Sequence, residues 1–301
     1  MTAPLAIGLD VGGTKTAALA AANGTSRRFS GDGVHALRDG LEAVADTVAD
    51  LVAQARSAFD GAAVAGVAVG VAGAGRSEEQ HALAEALRQR LGGARVAVTH
   101  DADVAYQAAW GDESGALLLV GTGSFVLART EGGDALRAGG WGALLGDDGS
   151  GTALGRIALR AVLAALDGGP PTALVDRADL DFGLATTDDV IRAVYTERRP
   201  LASFAPLLLT AAADGDWAAS SALDRETNVL AQQVGWLATR AAGGVRERLA
   251  IAGGLVNEDV YRASLTAALE RHLPGWSVAP CEAEPVEGAL ALAQRLVAAN
   301  R

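Results

Sequence analysis

The sequence predicts an α/β protein of two domains, and three observations lead to this class. Apolar strand-like runs alternate with amphipathic helical patterns along most of the chain. Two glycine-rich turns, over residues 12–16 and 121–124, each join two apolar runs, as hairpin tips do. The length of 301 residues with 50% hydrophobic content is sufficient for two cores.

The first predicted domain covers residues 1–112. Its strands are expected over residues 5–9, 16–21, 64–71 and 96–99, and its helices over residues 41–59 and 78–91. Alternation of this kind is typical of a sheet covered by helices, so this part of the chain predicts one α/β layer.

The second predicted domain is larger and covers residues 113–287. Its strands are expected over residues 116–120, 125–130 and 249–252, and its helices over residues 152–166, 187–196, 201–213, 218–242 and 258–272. A last helix is expected over residues 287–299, and the segment 288–301 is predicted to pack back on the first domain.

Composition excludes several classes of function. A net charge of -11 argues against a nucleic-acid surface, because such surfaces need clustered Lys and Arg. No run of about eighteen uncharged apolar residues predicts a membrane span, and a cytoplasmic protein is expected. Cys281 is the only cysteine, which excludes an intrachain disulfide, a Cys-rich zinc site and an iron–sulfur cluster held by this chain alone.

Both glycine-rich turns have the features of a phosphate site. Glycine allows close approach of an anion to backbone N–H groups, and Thr14, Thr16, Thr122 and Ser124 add hydroxyl donors. Neither turn is followed by a helical pattern, which excludes a P-loop around Lys15 and a dinucleotide fingerprint. An ordinary structural hairpin remains the alternative for either turn alone, whereas the pair together indicates a bound nucleotide.

Five segments in order resemble the sugar kinase, chaperone and actin ATPase superfamily, and within it the N-acetylglucosamine and glucosamine kinase branch. They are the phosphate motifs at residues 10–16 and 121–124, the adenosine motif at 251–254 and the connecting segments at 67–75 and 285–289. Residues 139–150 are similar to the GGWG…GDEGS stretch of amino-sugar kinases. The resemblance implies a two-domain actin-like (ribonuclease H-like) ATPase fold with the active site in the interdomain cleft.

The same resemblance implies ATP and Mg²⁺ as cofactors and assigns residues to them. Asp10 is expected to face Mg²⁺ through water. The nucleotide is expected to contact Gly12, Gly13, Thr14, Lys15, Thr16, Gly121, Thr122, Gly123, Ser124, Gly253 and Gly254. For Lys15, an exposed hairpin lysine without a ligand is an equal alternative.

Asp101 corresponds to the catalytic base of the family. It stands where a predicted strand gives way to a helix, so the alternative is a helix N-cap. Sugar contacts are expected from Asp103, Gly73, Gly139, Gly140, Trp141, Asp147, Asp148 and Glu287. Asp103 and Glu287 could instead only favour the dipole of their helices, and Trp141 could be plain core.

The expected reaction is phosphorylation of the 6-hydroxyl of an amino sugar. The acids Asp103, Asp148 and Glu287 favour the ammonium group of D-glucosamine, as in the actinobacterial glucosamine kinases that the chain resembles. His35 and Ala72 depart from residues common in acetylglucosamine kinases, which weakens the acetamide alternative. Partners other than the sugar and ATP are not expected, neither nucleic acid nor membrane, and the sequence does not choose between a monomer and a homodimer.

Other classes with this fold fit less well. A sugar-responsive repressor would need a DNA-binding domain before Asp10, and a reductase-activating ATPase would need cysteines for a shared cluster. A non-catalytic sensor of amino sugar and nucleotide stays open, because the sequence retains the phosphate turns and both aspartates.

Overall fold

The computed structural model describes residues 4–299, and they pack as two compact units. Unit 1 contains the chain up to Asp112 and again from Cys281 onward, and unit 2 is Glu113–Pro280. Each unit holds one five-stranded mixed sheet with helices, which confirms the predicted α/β class. The ends of the predicted first domain and of the predicted last segment, residues 1–3 and 300–301, lie outside the described residues.

Unit 1 alternates strands and helices from its first strand onward. Its elements are β1 (Leu5–Val11), β2 (Lys15–Ala22), β3 (Thr25–Asp32), α1 (Ala36–Asp39), α2 (Leu41–Ala58), β4 (Val64–Val71), α3 (Ser77–Leu91), β5 (Arg95–His100), α4 (Asp101–Trp110) and α11 (Pro285–Ala298). The helix α11 packs on β1, β4 and α4.

Unit 2 has the longer helices. Its elements are β6 (Gly115–Val120), β7 (Ser124–Arg129), β8 (Ala135–Gly139), α5 (Gly151–Leu166), α6 (Leu174–Phe182), α7 (Thr187–Ile191), α8 (Ala205–Ala213), α9 (Trp217–Arg240), β9 (Arg248–Ala252), α10 (Asp259–His272) and β10 (Ser277–Pro280). A π-helical turn at Arg192–Thr196 and two 3₁₀ turns at Leu201–Phe204 and Gly254–Asn257 complete it.

The two sheets have the same strand order. In unit 1 the order is β3-β2-β1-β4-β5, and in unit 2 it is β8-β7-β6-β9-β10. In each sheet the first three strands form an antiparallel meander, and the last two run parallel to the strand that opens the unit. Parallel strands end at one common edge, and this edge is where ligands bind in such sheets.

Some elements differ from the sequence-based expectation. The edge strands β3, β8 and β10 and the helices α1 and α6 were not predicted. For the strands the reason is that β3 and β10 are short of buried apolar residues and β8 has only five residues. The helices predicted over residues 187–196 and 201–213 are each broken. The first continues as the π-helical turn, and the second begins as a 3₁₀ turn.

Close packing fixes the last helix on the sheet of unit 1. A Cβ atom at Gly8 of β1 would lie 2.0 Å from the backbone nitrogen of Leu290, so only glycine allows α11 to approach this strand so closely. Ala6, Ala68, Leu290 and Ala293 form the small apolar cluster at this contact. None of the helices within residues 4–299 is long and apolar enough to cross a membrane.

Candidate active site

The first glycine-rich turn is the tip of the β1–β2 hairpin. Its base is closed by the N–H of Gly12, which donates to the carbonyl oxygen of Lys15 at 3.1 Å. Thr14 and Lys15 are exposed at the tip. The hydroxyl of Thr16 is buried and donates to the carbonyl oxygen of Asp32 at 2.8 Å, so this predicted phosphate donor is engaged inside the sheet.

Asp10 lies one residue before the end of β1, beside this turn. Its pKa is raised from 3.8 to about 6, chiefly by burial and then by the negative charges of Asp101 and Glu284. Glu284 precedes α11, where its carboxylate pairs with Arg28 of β3. Asp10 therefore lies in a locally negative environment at the carboxyl edge of the sheet.

Asp101 is the first residue of α4, directly after β5. The N-cap residue of this helix is the preceding residue, His100. One carboxylate oxygen of Asp101, Oδ1, accepts the backbone N–H of Ala102 at 2.8 Å. Asp103 lies in the same turn, where it accepts the hydroxyl of Thr99 at 2.6 Å.

Gly73 follows β4 and contacts a side chain that the sequence singled out. A Cβ atom at Gly73 would lie 2.4 Å from Cε1 of His35, and the same imidazole ring lies beside Gly13 of the first turn. The imidazole therefore fills the space between a predicted phosphate glycine and a predicted sugar glycine of unit 1.

The second glycine-rich turn joins β6 to β7 and is fixed by a helix N-terminus. The backbone N–H groups of Gly151 and Thr152, at the start of α5, donate to the carbonyl oxygens of Gly121 and Thr122. The buried hydroxyl of Ser124 donates to the carbonyl oxygen of Asp148 at 2.6 Å. The turn is thus rigidly held, and its own hydroxyl at Ser124 is already engaged.

Asp147 lies against this second turn. Its backbone adopts a φ of 60°, and its carboxylate accepts the N–H groups of Ser124 and Gly142. Burial raises the pKa of Asp147 in spite of those hydrogen bonds. The Oδ2 atom lies 2.9 Å from the position that a Cβ of Gly123 would occupy, so the carboxylate touches the glycine of the turn.

The other predicted sugar contacts of unit 2 lie on the same loop. Trp141 is 66% exposed and stacks under Arg137, so it is not the plain core residue that was the alternative. Asp148 accepts the side-chain amide of Gln233 at 2.7 Å. Gly139 and Gly140 both have positive φ angles and are approached by Gln233 and Arg137.

Glu287 lies in unit 1, on the first turn of α11. Its Oε2 atom accepts the backbone N–H of Glu284 at 2.7 Å, which forms a capping box at the start of the helix. This carboxylate is exposed, and its hydrogen bond is to the start of its own helix.

A pocket of about 640 Å³ opens in unit 2 beside the second turn. Gly121, Thr122 and Gly254 contribute to its wall, so two separate predicted nucleotide motifs line one pocket. Gly253 makes this possible, because its φ is 111° and a Cβ there would lie 2.1 Å from the carbonyl oxygen of Val120. The rest of the wall is formed by Gly151, Ala202, Ala205, Pro206, Leu209, Thr210, Ala213, Leu255, Asn257, Glu258, Asp259 and Val260.

Apart from Gly254, sequence reasoning missed the residues that α8 and the two 3₁₀ turns contribute to this pocket. Asn257 and Glu258 could have been found from the sequence, because they closely follow the predicted adenosine motif at residues 251–254. His100 and Gln233 were also missed. For His100 the signal was its position next to Asp101, whereas Gln233 is distant in sequence from the aspartate that it contacts.

Two sheets of equal topology, each opening with a glycine-rich hairpin, define the sugar kinase and actin-like ATPase superfamily. The profile of the BadF/BadG/BcrA/BcrD ATPase family matches residues 7–293, and the chain belongs to that family. The resemblance drawn from the sequence motifs is therefore confirmed at the level of the superfamily.

Two curated relatives are similar over much of the chain. An N-acetylmuramic acid/N-acetylglucosamine kinase of Clostridium acetobutylicum is 27% identical over 205 residues, which cover 65% of this chain and 65% of that protein. The match thus leaves about a third of the clostridial protein uncovered. An N-acetyl-D-glucosamine kinase of Dictyostelium discoideum is 26% identical over 97% of this chain and 98% of its own length.

Solved structures share the whole fold. A protein of Chromobacterium violaceum that carries a provisional N-acetylglucosamine kinase name has a TM-score of 0.77 at 25% identity, with 97% of this chain and 99% of that chain covered. A ROK family glucokinase of Streptomyces griseus, at 20% identity, has a TM-score of 0.62 with 97% and 99% covered, and this likeness concerns the fold alone.

Proposed function

We propose that the protein is a kinase that transfers the γ-phosphoryl group of ATP to the 6-hydroxyl of an amino sugar. The observation that carries the proposal is the carboxylate pair of unit 1. Asp10 lies beside a glycine-rich turn, and Asp101 is close enough for its charge to raise the pKa of Asp10. The curated relatives, which are named as kinases of N-acetylated amino sugars, support the same class of reaction.

Asp101 would orient the sugar hydroxyl and accept its proton. As the bond from the 6-oxygen to the γ-phosphorus forms, the bond from that phosphorus to the β,γ-bridging oxygen breaks, and ADP leaves. Because phosphoryl transfer has a loose transition state, the proton moves to Asp101 late, and orientation is the main contribution of this carboxylate.

The residues of unit 1 fit a magnesium ion held chiefly through water. Within residues 4–299 no group of three or more His, Cys, Asp and Glu side chains could hold a metal directly. Mg²⁺ keeps several waters and needs only one or two carboxylates, and Asp10 is a carboxylate whose unfavourable surroundings a cation would relieve. When bound, the ion would neutralise charge on the phosphates of ATP.

The nucleoside part of ATP would occupy the pocket of unit 2. The wall combines apolar and polar side chains. Gly121 and Thr122 of the second turn lie in this wall, so the phosphates of a nucleoside bound here would point toward them. The exposed tip of the first turn, with Gly13, Thr14 and Lys15, would hold the terminal phosphates. Thr16 and Ser124 would shape the two turns, since both hydroxyls are engaged and the backbone N–H of Ser124 already donates to Asp147.

The sugar would meet the loop that carries Trp141 and Asp147, together with Gly139 and Gly140, and in unit 1 Gly73. The exposed ring of Trp141 offers an apolar face to a pyranose. Asp147 already accepts two backbone N–H groups, and its remaining lone pairs would accept adjacent sugar hydroxyls, which leaves the 6-hydroxyl as the nucleophile.

The group on the second carbon of the sugar decides between two substrates. The sequence favours D-glucosamine, and this preference stays a prediction. N-acetylglucosamine is the second candidate, because each acid invoked for the ammonium group, Asp103, Asp148 or Glu287, already accepts a hydrogen bond from the protein. The names of both curated relatives favour the same candidate.

A comparison of the two amino sugars with glucose tests the proposal. The purified protein is incubated with ATP and Mg²⁺, ADP release is followed, and the phosphorylated carbon is identified by phosphorus NMR. Turnover of one or both amino sugars at the 6-position is expected. Tight sugar binding without any turnover would instead support the alternative of a non-catalytic sensor of the same fold.

We also propose that the two packed units are the functional domains and that the reaction takes place in the cytoplasm, where ATP and sugar are supplied. Cys281 would have no part in it. Burial raises the pKa of its thiol, and its Sγ atom donates to the carbonyl oxygen of Ala283 at 3.3 Å.

A further inference from the structure

A single oxygen of the Asp101 carboxylate is contacted by two nitrogen atoms. The backbone nitrogen of Ala102 lies 2.8 Å from Oδ1, and Nδ1 of His100 lies 2.6 Å from the same atom. A nitrogen and an oxygen this close must share a proton, because two lone pairs would repel each other at that distance. The ion-pair contact therefore requires a proton on Nδ1 of His100, facing Oδ1 of Asp101.

Nδ1 of His100 has a second contact, with the backbone of Ala102. The N–H of Ala102 also lies 3.2 Å from Nδ1 of His100, which taken alone would make Nδ1 an acceptor that caps α4. One ring nitrogen cannot accept this N–H group and donate to Asp101 at the same time. The two shorter distances both lead to Oδ1, so Ala102 and His100 are the donors and the carboxylate is the acceptor.

The other oxygen of the carboxylate is in a different situation. Within residues 4–299 the structure records no hydrogen bond to Oδ2 of Asp101. The side chains of His100 and Asp101 are 23% and 34% exposed, so the pair is partly shielded from water. The local contacts thus fix Oδ1 and leave Oδ2 available to a substrate hydroxyl.

We propose that His100 is a positioning residue for the catalytic base. Its Nδ1–H group holds Oδ1 and so directs Oδ2 toward the hydroxyl whose proton Asp101 accepts. The proposal rests on the kinase function proposed above. Proton transfer requires a well-oriented acceptor, and a hydrogen bond to a charged group contributes enough free energy to restrict the rotation of a carboxylate.

The test compares variants that keep or remove the donor. His100→Asn retains an N–H donor near the position of Nδ1, whereas His100→Leu removes it and keeps the bulk. His81→Leu, at an exposed position on α3 of the same unit, is the matched control. Steady-state kcat and KM for the amino sugar and the melting temperature are measured for each variant and for the wild type.

We expect His100→Leu to lower kcat about tenfold to hundredfold, with KM for the sugar within about twofold of the wild type. His100→Asn should recover kcat to within about threefold, and His81→Leu should leave both constants unchanged. A merely structural role would lower the melting temperature without separating kcat from KM. If His100→Leu melts below the assay temperature, His100→Gln, whose longer side chain moves the donor away from Oδ1, takes its place.

Two results would overturn the assignment in an active enzyme. One is a kcat of His100→Leu within about twofold of the wild type. The other is an equal loss of kcat in His100→Asn and His100→Leu, which would mean that the shape of the ring matters and its N–H donor does not. A wild-type protein that phosphorylates no sugar is a distinct result. It would overturn the kinase function, and the positioning role of His100 with it.

Discussion

Replacing Asp10 by asparagine should stabilise the protein near neutral pH. The pKa of Asp10 rises from 3.8 to about 6 in the folded chain, chiefly because the carboxyl is buried and then because Asp101 and Glu284 are close. Each pKa unit corresponds to about 1.4 kcal/mol of free energy. The rise of about two units therefore means that the charged carboxylate destabilises the folded chain by about 3 kcal/mol near pH 7. Asn has nearly the same shape and carries no charge.

The stability difference between Asp10→Asn and the wild type decreases as the pH falls. The folded chain takes up a proton on Asp10 as the pH falls through about 6, whereas the unfolded chain does so only near 3.8. The wild type therefore gains stability relative to Asp10→Asn as the pH falls. The difference of about 3 kcal/mol near pH 7 should decrease to about 1.5 kcal/mol near pH 5 and to about 0.5 kcal/mol near pH 4.

Urea unfolding of both proteins at these pH values measures the difference. Asp50→Asn, an exposed substitution on α2 of the same unit, is the control and should change the free energy of unfolding by less than about 0.5 kcal/mol. A variant Asp10→Asn that is as stable as the wild type near pH 7, or less stable, would refute the reasoning. So would a gain in stability that does not depend on pH.

Three further outcomes follow from the contacts. Asp101→Asn should lower kcat about 10²- to 10⁴-fold with little change in the melting temperature, and unchanged turnover would exclude it as the base. In urea unfolding, Gly253→Ala should lower the free energy of unfolding by more than about 2 kcal/mol, because its Cβ would meet the carbonyl oxygen of Val120. The control Gly254→Ala, whose Cβ would meet nothing within 4 Å, should remain within about 1 kcal/mol of the wild type. Glu287→Gln should leave KM for glucosamine within about twofold, because its carboxylate contacts its own helix, and a tenfold rise in KM would restore the ammonium contact predicted from the sequence.

The periodic and buried elements could be predicted from the sequence. The strand predicted over residues 64–71 is observed as β4 with the same limits, because it is a continuous apolar run between two parallel neighbours, β1 and β5. The edge strand β3 has the sequence TSRRFSGD and is largely exposed, so hydrophobic periodicity gave no signal for it. Its pairing with β2 depends on tertiary structure.

The candidate site shows the same division between local and distant contacts. The junction of strand and helix at Asp101 could be predicted, because β5 ends and α4 begins there in the sequence itself. The contact of Asp148 with Gln233 could not, since 85 residues separate them. The hydroxyl of Thr16 is engaged with Asp32 because the unpredicted strand β3 pairs with β2.

Transfer of the labelled γ-phosphate of ATP to an amino sugar is the most direct test of the central proposal. The wild type and Asp101→Asn are compared in the same reaction with glucosamine, N-acetylglucosamine and glucose. We expect label in the 6-phosphate of an amino sugar, with kcat/KM above that for glucose, and a loss of at least about a hundredfold in the variant. Absence of label in every sugar, or equal labelling by the wild type and Asp101→Asn, would contradict the proposed function.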